Sequence, residues 1–332
     1  MHDGESREVT DAVVARDLSK AFEDVQAVDA ISFTVHRGEL FGFLGPNGAG
    51  KTTTINLLTG LARPDAGSIR MGGIDCTSRP RAAQHLIGVV PDESNLYPEL
   101  TGFENLTFCA SLYGIRKAER QKRARELLKL FDLSAASDRK FAGYSKGMKR
   151  KLTFAAGIIH RPDILFLDEP TTGIDVASAR QLRQLVADLH SRGTTIFLTT
   201  HYIEEAERLC DRIAFIVSGR VIRTDTVEHL VQPAQEKHAV RISFSTAPGD
   251  VREGLTESFP ELGFTFSGSD VLRVESDRPV RVGPLIRFLE ERGAEVSEAR
   301  RMRPSLEDVF IEITGIEADA MHREKEKQGG GR

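Results

Sequence analysis

The 332 residues are 40% hydrophobic and 28% charged, with 45 basic against 49 acidic side chains and a formal charge of -4. That length allows one large α/β domain and a smaller one, each with its own core. The near-balance of mixed charges argues against a phosphate-backbone partner, so no nucleic-acid binding is expected. Cys76, Cys109 and Cys210 stand far apart without C-x-x-C spacing, which suggests neither a disulfide framework nor a zinc site and fits a reducing compartment. Met1 to Glu8 places acidic residues where a secretory signal would be basic and then apolar, and no apolar run approaches the ~18 residues of a membrane helix. A soluble chain is the expectation.

Along the chain, short strands are predicted from Val13 to Val35, with Ile31, Phe33 and Val35 on one face by period-two alternation. Leu40–Leu44 reads as a buried strand that runs into a glycine-rich turn and a helix from Lys51 to Leu61. More strand and turn follow from Gly67 to Val90. Thr101 and Glu104 form a capping box at the head of a helix stopping near Gly114, and a second helix spans Lys117 to Phe131. Ile164–Leu167 and Thr195–Leu198 have the uniform apolarity of interior parallel strands, with a helix from Val176 to His190 between them and another strand at Ile213–Val217. Strands alternating with helices predict a parallel sheet whose ligands sit at the carboxyl ends of its strands. Gln232 to Lys237 reads as a linker. Beyond it a small βαββαβ-like unit is predicted, followed by a helix capped by Ser305 and Asp308 that sets Leu306, Val309, Phe310 and Ile313 on one face.

Two motifs carry chemistry. Gly45-Pro46-Asn47-Gly48-Ala49-Gly50-Lys51-Thr52, followed by Thr53, fits G-x-x-x-x-G-K-T between an apolar strand and a helix. Its glycines let successive N–H groups face phosphate oxygens at the positive end of a helix. Lys51 is placed to reach the β- and γ-phosphates, and the Thr52 hydroxyl to ligate Mg²⁺. ATP with Mg²⁺ is the expected ligand. Ile164-Leu-Phe-Leu-Asp168-Glu169 delivers two carboxylates at a strand's carboxyl end, the Walker B arrangement: Asp168 for Mg²⁺ and Glu169 for the attacking water. Taken alone, an Asp-Glu pair serves equally well as a solvated acidic turn.

Tyr144-Ser145-Lys146-Gly147-Met148, about twenty residues before Asp168, resembles the signature of ABC ATPases. Thr172-Gly-Ile-Asp175 is similar to their D-loop and His201 to their switch histidine. The resemblance covers roughly residues 10 to 230. It implies an α/β fold of P-loop ABC type: a mainly parallel sheet with an antiparallel β subdomain and a helical subdomain at about 94–150, inside an ATP-binding domain over 1–232. A small α+β accessory domain over 233–316 and a disordered tail over 317–332 complete the expected organisation. The resemblance further implies that two such subunits, expected as a homodimer, pair head to tail. Ser145, Lys146, Gly147 and Met148 of each would then meet the ATP bound by the other. Phe22 stands where the family carries an adenine-stacking aromatic, although a phenylalanine in a strand is more often core.

Two positions depart from the family pattern. Asp92 replaces the Q-loop glutamine and is expected to retain its role near Mg²⁺ and toward the membrane partner. Lys146 replaces the first glycine of the signature, where its ammonium either faces the phosphates or points to solvent. Arg303 to Gly315 resembles the end of ATPase subunits of ABC-2 type, drug-exporter-like systems. The expected function is therefore ATP hydrolysis that drives export through a separate integral membrane permease, at the cytoplasmic face of the membrane. Soluble ABC ATPases acting on ribosomes or DNA are the alternative. They carry two cassettes or long coiled coils, whereas here one P-loop and no heptads are found.

Overall fold

The computed structural model describes residues 11–235, 238–246, 251–268, 270–302 and 305–316. These form two compact units, the first running through Thr226 and the second from Val227 to Gly315. The tail expected from residue 317 lies outside the described residues.

The first unit contains, in chain order, β1 (Asp11–Phe22), β2 (Val25–His36), β3 (Leu40–Leu44), α1 (Lys51–Leu58), β4 (Ala66–Met71), β5 (Ile74–Asp75), β6 (Ile87–Val90), α2 (Gly102–Leu112), α3 (Lys117–Leu130) and α4 (Lys146–Ile158). It continues with β7 (Ile164–Asp168), α5 (Val176–Ser191), β8 (Thr195–Thr200), α6 (Ile203–Leu209), β9 (Arg212–Val217) and β10 (Arg220–Thr226). A six-stranded sheet has the order β10-β9-β3-β8-β7-β6, parallel except at the β10 edge. Its central strands are buried along their whole length, as expected of a parallel sheet covered on both faces. An antiparallel sheet, β2-β1-β4-β5, packs beside it. Ile31, Phe33 and Val35 share the buried face of β2 as the alternation predicts. The Phe33 ring lies 5.6 to 5.8 Å from those of Phe41, Phe43 and Phe197 and so joins the two sheets. Aromatic pairs of this kind add about 1 kcal/mol each beyond the area they bury.

Helix α1 ends earlier than predicted. The Thr59 hydroxyl donates back to the Ile55 carbonyl at 2.8 Å, and Gly60 takes a left-handed conformation at φ 76, which stops the helix before Leu61. Between β6 and β7 come α2 and α3, the helical insert. Thr101 and Glu104 form the reciprocal cap of α2 that the sequence predicts.

The second unit has α7 (Val227–Gln235), β11 (His238–Thr246), α8 (Arg252–Ser258), β12 (Gly263–Ser267), β13 (Val271–Ser276), α9 (Val282–Glu290), β14 (Glu295–Met302) and α10 (Leu306–Thr314). Its antiparallel sheet has the order β12-β13-β11-β14, a βαββαβ arrangement with a core around Ile242, Leu272, Val274, Leu285 and Leu289. Ser305 and Asp308 cap α10 reciprocally, and Asp308 also accepts from Arg273 at 2.9 Å. The stretch read as a linker begins inside α7 instead, a helix held by buried Leu230 and Val231, and residues 236–237 lie outside the described residues.

Candidate active site

Strand register assembles the site. Leu44 at the end of β3 lies opposite Thr200 of β8, and Thr199 lies opposite Asp168 at the end of β7. Three adjacent parallel strands therefore deliver the Gly45–Thr52 loop, the Asp168–Glu169 pair and His201 to one edge of the sheet.

The loop is shaped by backbone contact. Gly50 sits at φ 102, and a Cβ there would lie 2.3 Å from the Ala27 carbonyl oxygen, so no other residue fits without displacing β2. Pro46, Asn47 and Gly48 form the turn, Ala49 is buried behind it, and Thr52 and Thr53 begin α1. Lys51 is buried; its ammonium donates to the Gly45 and Pro46 carbonyls at 2.8 and 3.0 Å and lies 3.2 Å from Oε1 of Glu169. Such contacts curl the lysine over its own loop.

Glu169 is buried among opposite charges. Nδ1 of His201 lies 2.9 Å from its Oε2, and the Thr172 hydroxyl donates to the same oxygen at 3.0 Å. Burial alone would raise this carboxyl, but His201 and Lys51 outweigh burial and hold it at about 2. Asp168 has the opposite balance: burial raises it, partly offset by hydrogen bonds from Thr199 and Thr52. The Thr199 hydroxyl donates to Oδ1 of Asp168 at 2.6 Å. A threonine hydroxyl and a carboxylate, both hard oxygen donors at the foot of α1, suit a magnesium ion that also takes phosphate oxygens. Asp92 follows β6, the next strand in the sheet, and is half-buried; its charge adds to that of Glu169 in raising Asp168.

The signature residues lie at the head of α4. Ser145 is exposed and caps the helix, its hydroxyl oxygen accepting from the Met148 N–H at 3.3 Å. Gly147 is pressed against the start of α5: a Cβ there would lie 3.3 Å from Oδ2 of Asp175 and 3.2 Å from Oγ of Ser178. Asp175 caps α5 by accepting from the Ser178 N–H at 2.9 Å. The Lys146 ammonium leans on Gly173, two residues before Asp175. Phe22 ends β1 half-exposed with the Lys20 ammonium 5.3 Å from its ring centre, on the hairpin whose β2 strand carries Ala27. It is a surface aromatic and not a core one.

Three buried residues escape the sequence reading. Thr199 holds the Asp168 carboxylate and the Glu169 backbone, accepting from the Glu169 N–H at 3.2 Å as well as donating to Asp168. Glu205 accepts from the hydroxyls of Thr171 and Thr200 at 2.9 and 3.0 Å, bracing the segments that carry Glu169 and His201. Burial raises its carboxyl. Arg150, in the second turn of α4, is buried and donates to carbonyls on both sides of the site. Glu205, in the first turn of α6, reaches back to Thr200 and across to Thr171, and like Thr199 and Arg150 it leaves no local motif.

Comparison with known proteins places the chain. A family model for the ABC transporter matches residues 28–172. The daunorubicin/doxorubicin resistance ATP-binding protein DrrA of Streptomyces peucetius is 39% identical over 314 residues, covering 93% of this chain and 94% of that protein. This chain belongs to the ABC transporter ATP-binding family. Nod factor export ATP-binding protein I of Burkholderia lata is 38% identical over 309 residues, 91% of this ABC subunit and 96% of that protein. Among solved structures, a dimeric post-hydrolysis state of the ATP-binding cassette MJ0796 bound to ADP and Pi aligns with a TM-score of 0.60 and 27% identity over 65% of this chain and 98% of that one. The ABC resemblance read from the signature and its neighbours is thus the family found, and the fold is that of its ATPase cassettes. The subunit is an ATPase.

Proposed function

We propose that this ABC ATPase drives export through a separate integral membrane permease, with two copies closing on Mg²⁺-ATP at the cytoplasmic face of the membrane. Lys51, Thr52, Asp168, Glu169 and His201 meeting at one edge of β3, β8 and β7 is the observation that carries the catalytic part. The transport part draws on relatives named for drug resistance and Nod factor export. Among the described residues no helix is long and apolar enough to cross a membrane, so the membrane path is assigned to a partner.

In this reading residues Gly45 to Thr53 wrap the phosphates with backbone N–H groups, and Lys51 turns from its own loop to the β- and γ-phosphates. Thr52 and Asp168 would hold Mg²⁺, with Asp92, just after the neighbouring strand β6, as a further carboxylate; when bound, the ion would supply charge neutralisation at the phosphate oxygens. Glu169, ionised across the physiological range, orients the water by accepting a hydrogen bond from its O–H. His201 fixes the rotamer of Glu169 and presents a donor toward the γ-phosphate. Phe22 stacks on the adenine, and Ser145 to Met148, next to Asp175, close on the nucleotide held by the other copy. The Val227–Gly315 unit is an accessory to this engine. No nucleic acid enters the cycle.

Turnover tests it directly. The purified subunit hydrolyses Mg²⁺-ATP, Lys51→Ala loses binding and turnover together, and Glu169→Gln binds ATP without turning it over. Hydrolysis that persists in Glu169→Gln would remove the catalytic assignment, and a tagged chain that extracts from membranes with no integral membrane protein would remove the permease.

A further inference from the structure

The head of α4 carries the surface proposed for the other copy's nucleotide, yet Asp168 and Glu169 lie at and just beyond the end of β7, a separate element. One side chain connects them. Arg150 has five N–H donors, and each has a backbone carbonyl. Nε donates to Pro170 at 2.8 Å, one terminal nitrogen to Asp168 and Glu169 at 2.8 Å each, and the other to Asp92 at 2.8 Å and to Pro91. Three acceptors belong to the segment holding the carboxylates and two to the segment holding Asp92.

What this grip controls follows from the backbone of Glu169. That residue has φ 45, a left-handed conformation that costs a non-glycine residue about 1 kcal/mol or more and persists only where surroundings over-determine it. Its N–H is held by the carbonyl and hydroxyl of Thr199 at 3.1 and 3.2 Å, and its carbonyl by Arg150. The arginine is in turn fixed by close packing of its helix on β6: a Cβ on Gly157 would lie 2.8 Å from Cγ2 of Val90, and one on Gly88 would lie 2.2 Å from the Gly157 carbonyl. With so little slack, a displacement of α4 is passed on to the backbone at 91–92 and 168–170.

We propose that Arg150 is a positioning residue that makes the aim of Glu169 depend on α4, so that contact of Ser145 to Met148 with nucleotide on the other copy sets both the water-orienting carboxylate and the Asp92 loop. The inference rests on the proposed ATPase cycle. Its partners are carbonyls spread over two segments, so a lysine, with three donors in a different geometry, cannot reproduce the grip.

The test separates binding from chemistry. Arg150→Lys is expected to lower kcat roughly 10- to 100-fold, as a displaced catalytic group does, while KM for ATP stays within about threefold. In the Glu169→Gln background the same substitution leaves ATP-induced dimerisation intact. An unchanged kcat, or a loss of dimerisation and a raised KM accompanying the fall in kcat, overturns the inference; a parent protein without ATPase activity overturns instead the reading beneath it. Melting is followed in parallel. Should Arg150→Lys fail to fold, hydrogen exchange in Glu169→Gln, with Arg150 intact, gives the decision: on addition of Mg²⁺-ATP, the amides of positions 92, 168 and 169 gain protection together with 146–150. Protection confined to 146–150 overturns it.

Discussion

Nζ of Lys51 stands 3.2 Å from Oε1 of Glu169, with both side chains buried. The cation that is to grip phosphate and the carboxylate that is to orient water are thus partners of each other, and a triphosphate entering the loop competes with Glu169 for Lys51. Glu169→Gln removes that competitor along with a buried negative charge near the phosphates. It is expected to bind ATP about tenfold more tightly than the parent, roughly 1.4 kcal/mol. Titration of both proteins by calorimetry without Mg²⁺, where turnover is suppressed, checks this; equal or weaker affinity in the variant would contradict the pairing.

The same contacts set a pH dependence. Glu169 is held at about 2, below its ordinary value of 4.5. A carboxyl lowered on folding contributes stability that is present above its unfolded value and is lost as pH falls through its folded value. Glu169→Gln should therefore be less stable than the parent by roughly 2 kcal/mol at pH 7, with the gap closing as pH falls from about 4.5 toward 2. Urea denaturation of both proteins at pH 7, 5 and 3 reads this. A gap that stays constant or widens in acid counts against it.

Gly50 offers a steric prediction. Its φ of 102 and the 2.3 Å approach of a would-be Cβ to the Ala27 carbonyl mean that Gly50→Ala pushes the loop and β2 apart. Overpacking and left-handed strain together should cost about 2 to 4 kcal/mol, seen as a lowered Tm and loss of ATP binding. A variant with native Tm and native affinity would show that the loop adjusts freely.

Phe22 separates ligand contact from stability. Half-exposed at the end of β1, it contributes little to the core, so Phe22→Ala should change the Tm by no more than about 1 °C. Loss of an aromatic stacking platform should weaken ATP binding by roughly 1 to 3 kcal/mol while affecting inorganic triphosphate little. Equal loss for both ligands would assign Phe22 to the fold.

How much of this could be read from the chain depends on whether the physics is local. The phosphate loop, the carboxylate pair and the signature are contiguous runs in which the residue types are themselves the chemistry, and apolar strands before Gly45 and Asp168 announce their edges. The C-terminal βαββαβ pattern was legible for the same reason, through short alternating strands and the Ser305–Asp308 cap. Arg150 was not, because its five acceptors are main-chain carbonyls 18 to 59 residues distant in sequence, and any residue type supplies a carbonyl. Thr199 was hidden likewise by register, which sets it opposite Asp168. The end of α7, from Gln232 to Gln235, has the turn-like composition of a linker, whereas the helix continues there from a stretch anchored by buried Leu230 and Val231. Lys146 could not be placed from sequence; its lean toward Gly173 depends on the fold of the D-loop.

The central claim is that two copies of this subunit close on Mg²⁺-ATP and part on hydrolysis. Light scattering coupled to size-exclusion chromatography of Glu169→Gln, with and without ATP, tests it most directly. The account predicts a monomer without nucleotide and a dimer with ATP, the dimer being lost when Ser145→Arg blocks the signature surface. A mass that does not change with ATP in a variant shown to bind it would contradict the account.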